Sequence, residues 1–163
     1  MALIDPILDE LSREAQTTQR VLSRLPQDKL GWKPHPKSKT LGDLAWHLAM
    51  IPPRIATLAE LDDADALTLK APAKPDSVQA IVNAFDAGIR DAKERLARFT
   101  DEQLGRKVHF RAGDRTLAHM PRLAFLRTVL LNHGYHHRGQ LSVYLRLLDV
   151  PVPPIYGPTA DEA

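Results

Sequence analysis

Residues 121–149 read PRLAFLRTVLLNHGYHHRGQLSVYLRLLD. Leu123, Leu126, Leu130, His133, His137, Leu141, Tyr144 and Leu148 recur there at steps of three and four, which places them on one face of a helix about 28 residues long. Pro121 suits its first turn, where a missing N–H costs nothing. Toward the N-terminus the same spacing appears three more times. Ile4, Leu8, Leu11, Ala15, Thr18, Leu22 and Leu25 form a stripe that Pro26 and Gly31 bring to an end. Thr40 can cap a second helix with Leu41, Leu44, Leu48, Ile51, Ile55 and Leu58 turned inward. Pro52 and Pro53 in that helix clash with the carbonyls four residues earlier, which predicts a kink or a restart just after His47. Ser77 can cap a third, carrying Val78, Ile81, Phe85, Ile89, Ala92, Leu96 and Phe99 and ending near Thr100.

The segments between these stripes read as connections. Lys33 to Lys39 holds Pro34 and Pro36 and is extended, and Lys70 to Asp76 is an Ala- and Pro-rich linker. Between Leu104 and Thr116 the pattern turns irregular. Val108 and Phe110 with Ala112-Gly113-Asp114 fit either a short hairpin or a long loop. Val150 to Ala163, with Pro151, Pro153, Pro154 and Pro158, makes an extended tail. Four amphipathic stripes without a convincing strand alternation predict an all-α, antiparallel four-helix bundle, a single domain over residues 1–163 with site residues projected inward from facing helices.

Composition narrows the chemistry. The 163 residues are 44% hydrophobic and 26% charged, an ordinary globular balance. Lys and Arg number 22 against 20 Asp and Glu and are scattered, which does not favour a nucleic-acid stripe. With no Cys there is no disulfide, thiolate nucleophile, iron–sulfur cluster or Cys-type zinc site, so any metal must rest on His, Asp or Glu. Met1 to Glu10 is acidic without a basic residue, and no apolar run approaches the roughly 20 residues of a membrane span. The expectation is a soluble cytoplasmic protein with no membrane partner.

His133 and His137 lie about 40° apart on the last helix, one turn above the other, so both can reach one ion. On an apolar stripe the same pair can equally be two hydrogen-bonded core histidines. His47 decides between these readings. It sits between Leu44 and Ile51 on the inner side of the second helix, and three inward His from two helices form a facial set that leaves positions open for water and substrate. His136 is the rival ligand, but it falls toward the edge of the stripe, and adjacent residues cannot both point at one ion. Gln140, one turn beyond His137, either steadies a ligand or bound water or is a solvated helix residue. Trp46 and Tyr144 read as packing residues. Arg122, Arg127 and Arg138 could receive a carboxylate, although most Arg on a long helix are solvated. His35, His109 and His119 lie in or beside loops and receive no role.

Residues 132–146, NHGYHHRGQLSVYLR, resemble the last-helix signature of the DinB-like (DinB/YfiT) family. Further matches are residues 40–47, TLGDLAWH, then Met120-Pro121-Arg122 and the tail 152–158, VPPIYGP, in the family's order. The resemblance implies a four-helix bundle, often a homodimer, that binds a divalent metal through one His on helix two and an H-x-x-x-H pair on the last helix. Carried over, these are His47, His133 and His137. Some relatives use the metal to activate a low-molecular-weight thiol for transfer or isomerisation. The reading is therefore a zinc- or nickel-dependent enzyme of thiol-transferase type acting on a small molecule. The thiol would come from bacillithiol, mycothiol or glutathione, since the chain has no Cys. Water in place of the thiol would make it a hydrolase, and a bundle that binds metal without turnover is the third possibility.

Overall fold

In a computed structural model that describes residues 2–70 and 72–162, both helix caps form at the expected hydroxyls. Thr40 Oγ accepts from the Asp43 N–H at 3.1 Å and Ser77 Oγ from the Ala80 N–H at 3.2 Å. These caps open α2, Leu41–Ala59, and α3, Val78–Leu96. Before them α1 spans Asp5–Ser23 and buries Ile7, Leu11, Thr18, Val21 and Leu22. Thr100 caps a short α4, Asp101–Gly105, through a reciprocal capping box with Gln103. The last rod is helical from 122 to 147. It comprises α5, Arg122–Phe125, a π-helical segment, Leu126–Asn132, and α6, His133–Leu147. α1 and α2 each pack against both α3 and α6, which closes the four long helices into a ring around one apolar core.

The fold is mostly helical, but it is not the all-α bundle expected from the stripes. β2, Lys107–Ala112, and β3, Arg115–Pro121, form the antiparallel hairpin that was one of two readings for this stretch, turning through Gly113 at φ +59°. A third strand, β1, Asp63–Asp65, pairs parallel to β2 through Asp63 with His109, Ala64 with Phe110 and Asp65 with Arg111. Asp-Ala-Asp has little strand propensity. It is held instead by Arg111, whose Nε donates to Asp63 at 2.8 Å and Nη1 to Asp65 at 2.6 Å, and by burial of Ala64.

α2 does not restart after His47; it runs through Pro52 and Pro53 to Ala59. The cost of two internal prolines, about 3 kcal/mol each, is offset by packing, because α2 is buried on nearly all sides. Gly88 of α3 meets the Pro53 ring so closely that a Cβ built there would lie 2.8 Å from Pro53 Cδ. Alanine at 88 gains about 1 kcal/mol in helix propensity but forces overpacking of about 1–3 kcal/mol against a rigid ring. Gly88→Ala is expected to lower Tm in thermal unfolding, and an unchanged or raised Tm would show that the two helices have room to separate.

The π segment corrects the phase of the last helix. Its extra residue per turn places Phe125 and Leu131 in the core beside Leu126 and Leu130, while Leu123 is only partly buried. Beyond it the core face runs through Arg138, Leu141 and Leu145, and His133, His137 and Tyr144 stand half-buried alongside that face. The linker 70–76 is non-helical as expected, with Ala71 outside the described residues. The tail, whose last residue Ala163 also lies outside them, is non-helical as its prolines require, but it is not extended throughout: it bends back so that Thr159 Oγ1 donates to the Val152 carbonyl at 2.8 Å. It is tied back by Asp161, which receives Arg146 and the Val152 N–H. Among the described residues no helix is long and apolar enough to cross a membrane.

Candidate metal centre

His47 on α2 and His133 and His137 at the start of α6 turn their rings together. Nε2 of His133 lies 2.8 Å from Nε2 of His137 and 3.4 Å from Nε2 of His47. The three donor atoms all fall within 4.8 Å of one another, and no other group of three His, Asp or Glu among the described residues does so. Ligand bonds of about 2.0–2.1 Å put neighbouring nitrogens about 2.9 Å apart at a right angle and about 3.4 Å apart at a tetrahedral one. The spacings fit a group that can hold one divalent ion, and three neutral imidazoles suit zinc or nickel chemically.

Two of the three rings have a further polar neighbour. His137 Nδ1 lies 2.7 Å from Gln140 Oε1, so its N–H donates there and Nε2 keeps its lone pair toward the centre. The Val129 backbone, one turn earlier, lies close enough to the His133 ring to favour its charged form. Gln140 thus has the steadying role that was one of its two readings. His136 is exposed and outside the cluster. Trp46 donates Nε1–H to the Pro72 carbonyl at 2.9 Å, and Tyr144 packs edge-on to Trp32, so both pack the loops against α2 and α6. His35 accepts from the Lys37 N–H, and His109 contacts Thr116 on the hairpin.

The arginines depart from the expectation of solvated side chains. Arg122 and Arg138 are only 3% and 1% exposed and pair with Asp62 and Glu14, while Arg127 pairs with Glu10. They brace the fold rather than the centre.

Burial pushes the His47 imidazole down to about 4, with the neighbouring His137 and His133 opposing its charge. Burial also lowers His133 and His137, against the Val129 carbonyl and Gln140 respectively. Between about pH 6.5 and about pH 4 the unfolded chain therefore binds more protons than the folded one, so stability rises with pH across that window. This contribution is fully present above about 6.5 and lost as pH falls toward 4. Metal-free protein is expected to show a falling Tm from pH 6.5 to 4, with a shallower fall in His47→Ala. Parallel curves for the two proteins would remove His47 as the cause.

Two cavities flank the cluster. One, of about 410 Å³, is lined by His47, His133, Arg54 and mainly apolar side chains including Ile51, Ile55, Phe110 and Val129. The other, of about 310 Å³, is polar and lined by Lys37, Ser38, Lys39, Leu44, His137, Gln140 and Tyr144. Sequence reasoning passed over Arg54, Lys37 and Lys39. Arg54 could have been found from its position seven residues after His47, on the same helical face, whereas the loop lysines carry no periodic signal.

Comparison with known proteins agrees with this architecture. The model of the DinB family matches residues 4–163. The uncharacterized protein YrdA of Bacillus subtilis (strain 168) is 30% identical over 98% of this chain and 91% of its own length. The crystal structure of a DinB-like protein from Bacillus cereus ATCC 10987 superposes with a TM-score of 0.74 at 28% identity, covering 94% of this chain and 97% of that one. YjoA, a DinB-like protein from Bacillus subtilis, gives a TM-score of 0.74 at 19% identity over 93% of this chain and 98% of its own, a likeness of fold alone.

Proposed function

Since this chain belongs to the DinB family, we propose that it is a metal-dependent enzyme whose His47, His133 and His137 hold one zinc or nickel ion. Its reaction is transfer of a low-molecular-weight thiol to a small-molecule electrophile. The observation that carries the reading is the pair of chemically unlike cavities meeting at one three-His group. Two cavities suit two substrates, which favours transfer over hydrolysis.

A bound divalent cation supplies Lewis acidity, lowering the pKa of a thiol or water that reaches its open positions. The protein's own residues supply orientation. Gln140 keeps the Nδ1 proton of His137 away from the centre, so that its Nε2 faces it as a donor beside the Nε2 atoms of His133 and His47. Lys37 and Lys39 offer charge to an acidic thiol on the polar side, and Ile51, Ile55, Phe110 and Val129 exclude water on the other. Because the chain contains no Cys, the sulfur nucleophile must be brought in.

The test begins with elemental analysis of tag-free protein purified without chelator, beside His47→Ala. About one zinc or nickel per chain, absent from the variant, is expected. Metal-loaded protein is then incubated with a generic electrophile, with and without glutathione, bacillithiol or mycothiol. Consumption of the electrophile that needs both metal and thiol supports the transferase; consumption without thiol makes the protein a hydrolase. Metal without turnover leaves a binding bundle.

A further inference from the structure

Arg54 shares a face of α2 with His47, two turns on and about 10.5 Å along the axis, and lines the same apolar cavity. Every other strongly placed arginine near the core has an acid: Arg95 has Glu60, Arg111 has Asp65, Arg122 has Asp62 and Arg138 has Glu14. Arg54 does not. Its Nη2 donates to the neutral Leu69 carbonyl at 2.5 Å, while its Nε is shut off from solvent without a partner among the described residues. No carboxylate lines the cavity. A half-buried cation held by a carbonyl, facing an apolar space, lacks the counter-charge that such a group needs.

We propose that this cavity takes an amphipathic organic anion, a carboxylate on a hydrocarbon body. Arg54 receives the carboxylate, and Ile51, Ile55, Leu58, Phe110 and Val129 receive the body. Held in this way, the end of the molecule remote from the carboxylate faces His47 and His133. The inference rests on the reading of this cavity as the electrophile side of the centre, and it names the class of electrophile. A guanidinium forms charge-assisted hydrogen bonds with a carboxylate that a neutral amide cannot match.

The experiment titrates octanoate and its uncharged analogue octanamide into metal-stripped and zinc-loaded protein, followed by methyl NMR of Ile, Leu and Val. Octanoate is expected to bind the metal-stripped parent about tenfold tighter than octanamide, shifting the methyls of Ile51, Ile55 and Val129. In Arg54→Gln the preference disappears; in Arg54→Lys, which keeps the charge, part of it remains. The comparison within the parent needs no variant, so it stands even if Arg54→Gln proves poorly folded. Equal binding of the two probes to the parent overturns the proposal, as does a preference that survives in folded Arg54→Gln. Octanoate that binds only after zinc is added also overturns it, since the carboxylate would then sit at the centre and not on Arg54. Because the decisive comparison is made without metal, failure of the metal reading shows in elemental analysis and failure of this inference shows in the titration.

Discussion

His133→Ala is expected to lose most bound metal, with affinity falling about 100-fold or more, beyond the 10–100-fold typical of losing a residue that only orients a ligand. His133 stands between the other two, its Nε2 at 2.8 Å from His137 and 3.4 Å from His47, so its removal leaves no three-donor face. The helix should survive. Leu126, Leu130, Leu141 and Leu145 remain buried around it, and alanine is the best helix former. Circular dichroism should therefore match the parent while elemental analysis does not. His136→Ala provides the control: its exposed ring is outside the cluster, so it should hold metal nearly as the parent does. Full metal in His133→Ala would refute the three-His centre, and loss of metal in His136→Ala would mean that the neighbouring histidine is the ligand.

The second large effect concerns stability. Arg138 is 1% exposed, and Glu14 of α1 neutralises it at 2.6 Å. Arg138 also donates to the Tyr156 hydroxyl at 2.6 Å and to Thr18 Oγ1 at 3.2 Å, and lies over the rings of Tyr135 and Tyr156. The Tyr156 hydroxyl in turn donates to Glu14 at 3.1 Å, so α1, α6 and the tail share one network. Glu14→Ala strands a buried cation, a change that costs about 3–5 kcal/mol, or about 6–20 °C in Tm for a chain of this size. Arg138→Met replaces the cation with an apolar chain of similar length and leaves the partly exposed Glu14 able to reach water, so its loss should be smaller. Thermal unfolding of the two variants decides the matter. Equal losses, or a loss below about 1 kcal/mol in Glu14→Ala, would show that the pair behaves as an exposed ion pair.

These two cases divide along the range of the forces involved. Helix periodicity is local: Leu8 to Leu22, Val78 to Leu96 and the caps at Thr40 and Ser77 announce their helices because each signal spans only three or four residues. The pairing of His133 with His137 belongs to the same class. Both lie beyond the π segment, so its change of phase leaves their mutual spacing intact. His47 was legible as an inward residue of α2 for the same reason.

What the residues could not announce depends on partners distant in sequence. Asp63–Asp65 becomes a strand only because β2 offers an edge and Arg111 offers two ion pairs, and neither is visible in an Asp-Ala-Asp triplet. Pro52 and Pro53 predict a kink or a restart from local sterics, yet α2 does not restart, because it is buried on nearly all sides, with the Pro53 ring seated against Gly88 of α3. Arg138 reads as a solvated cation until Glu14 and Tyr156 surround it. The sequence by itself determined the helices, the stripes of the first three, the spacing of His133 with His137, the inward placing of His47 and the absence of any protein thiol, since these follow from composition and from a period of 3.6 residues. The tertiary structure alone decided the strand pairing, the fate of the buried arginines and the two cavities around the histidines, because burial and counter-charge are properties of what other segments bring alongside.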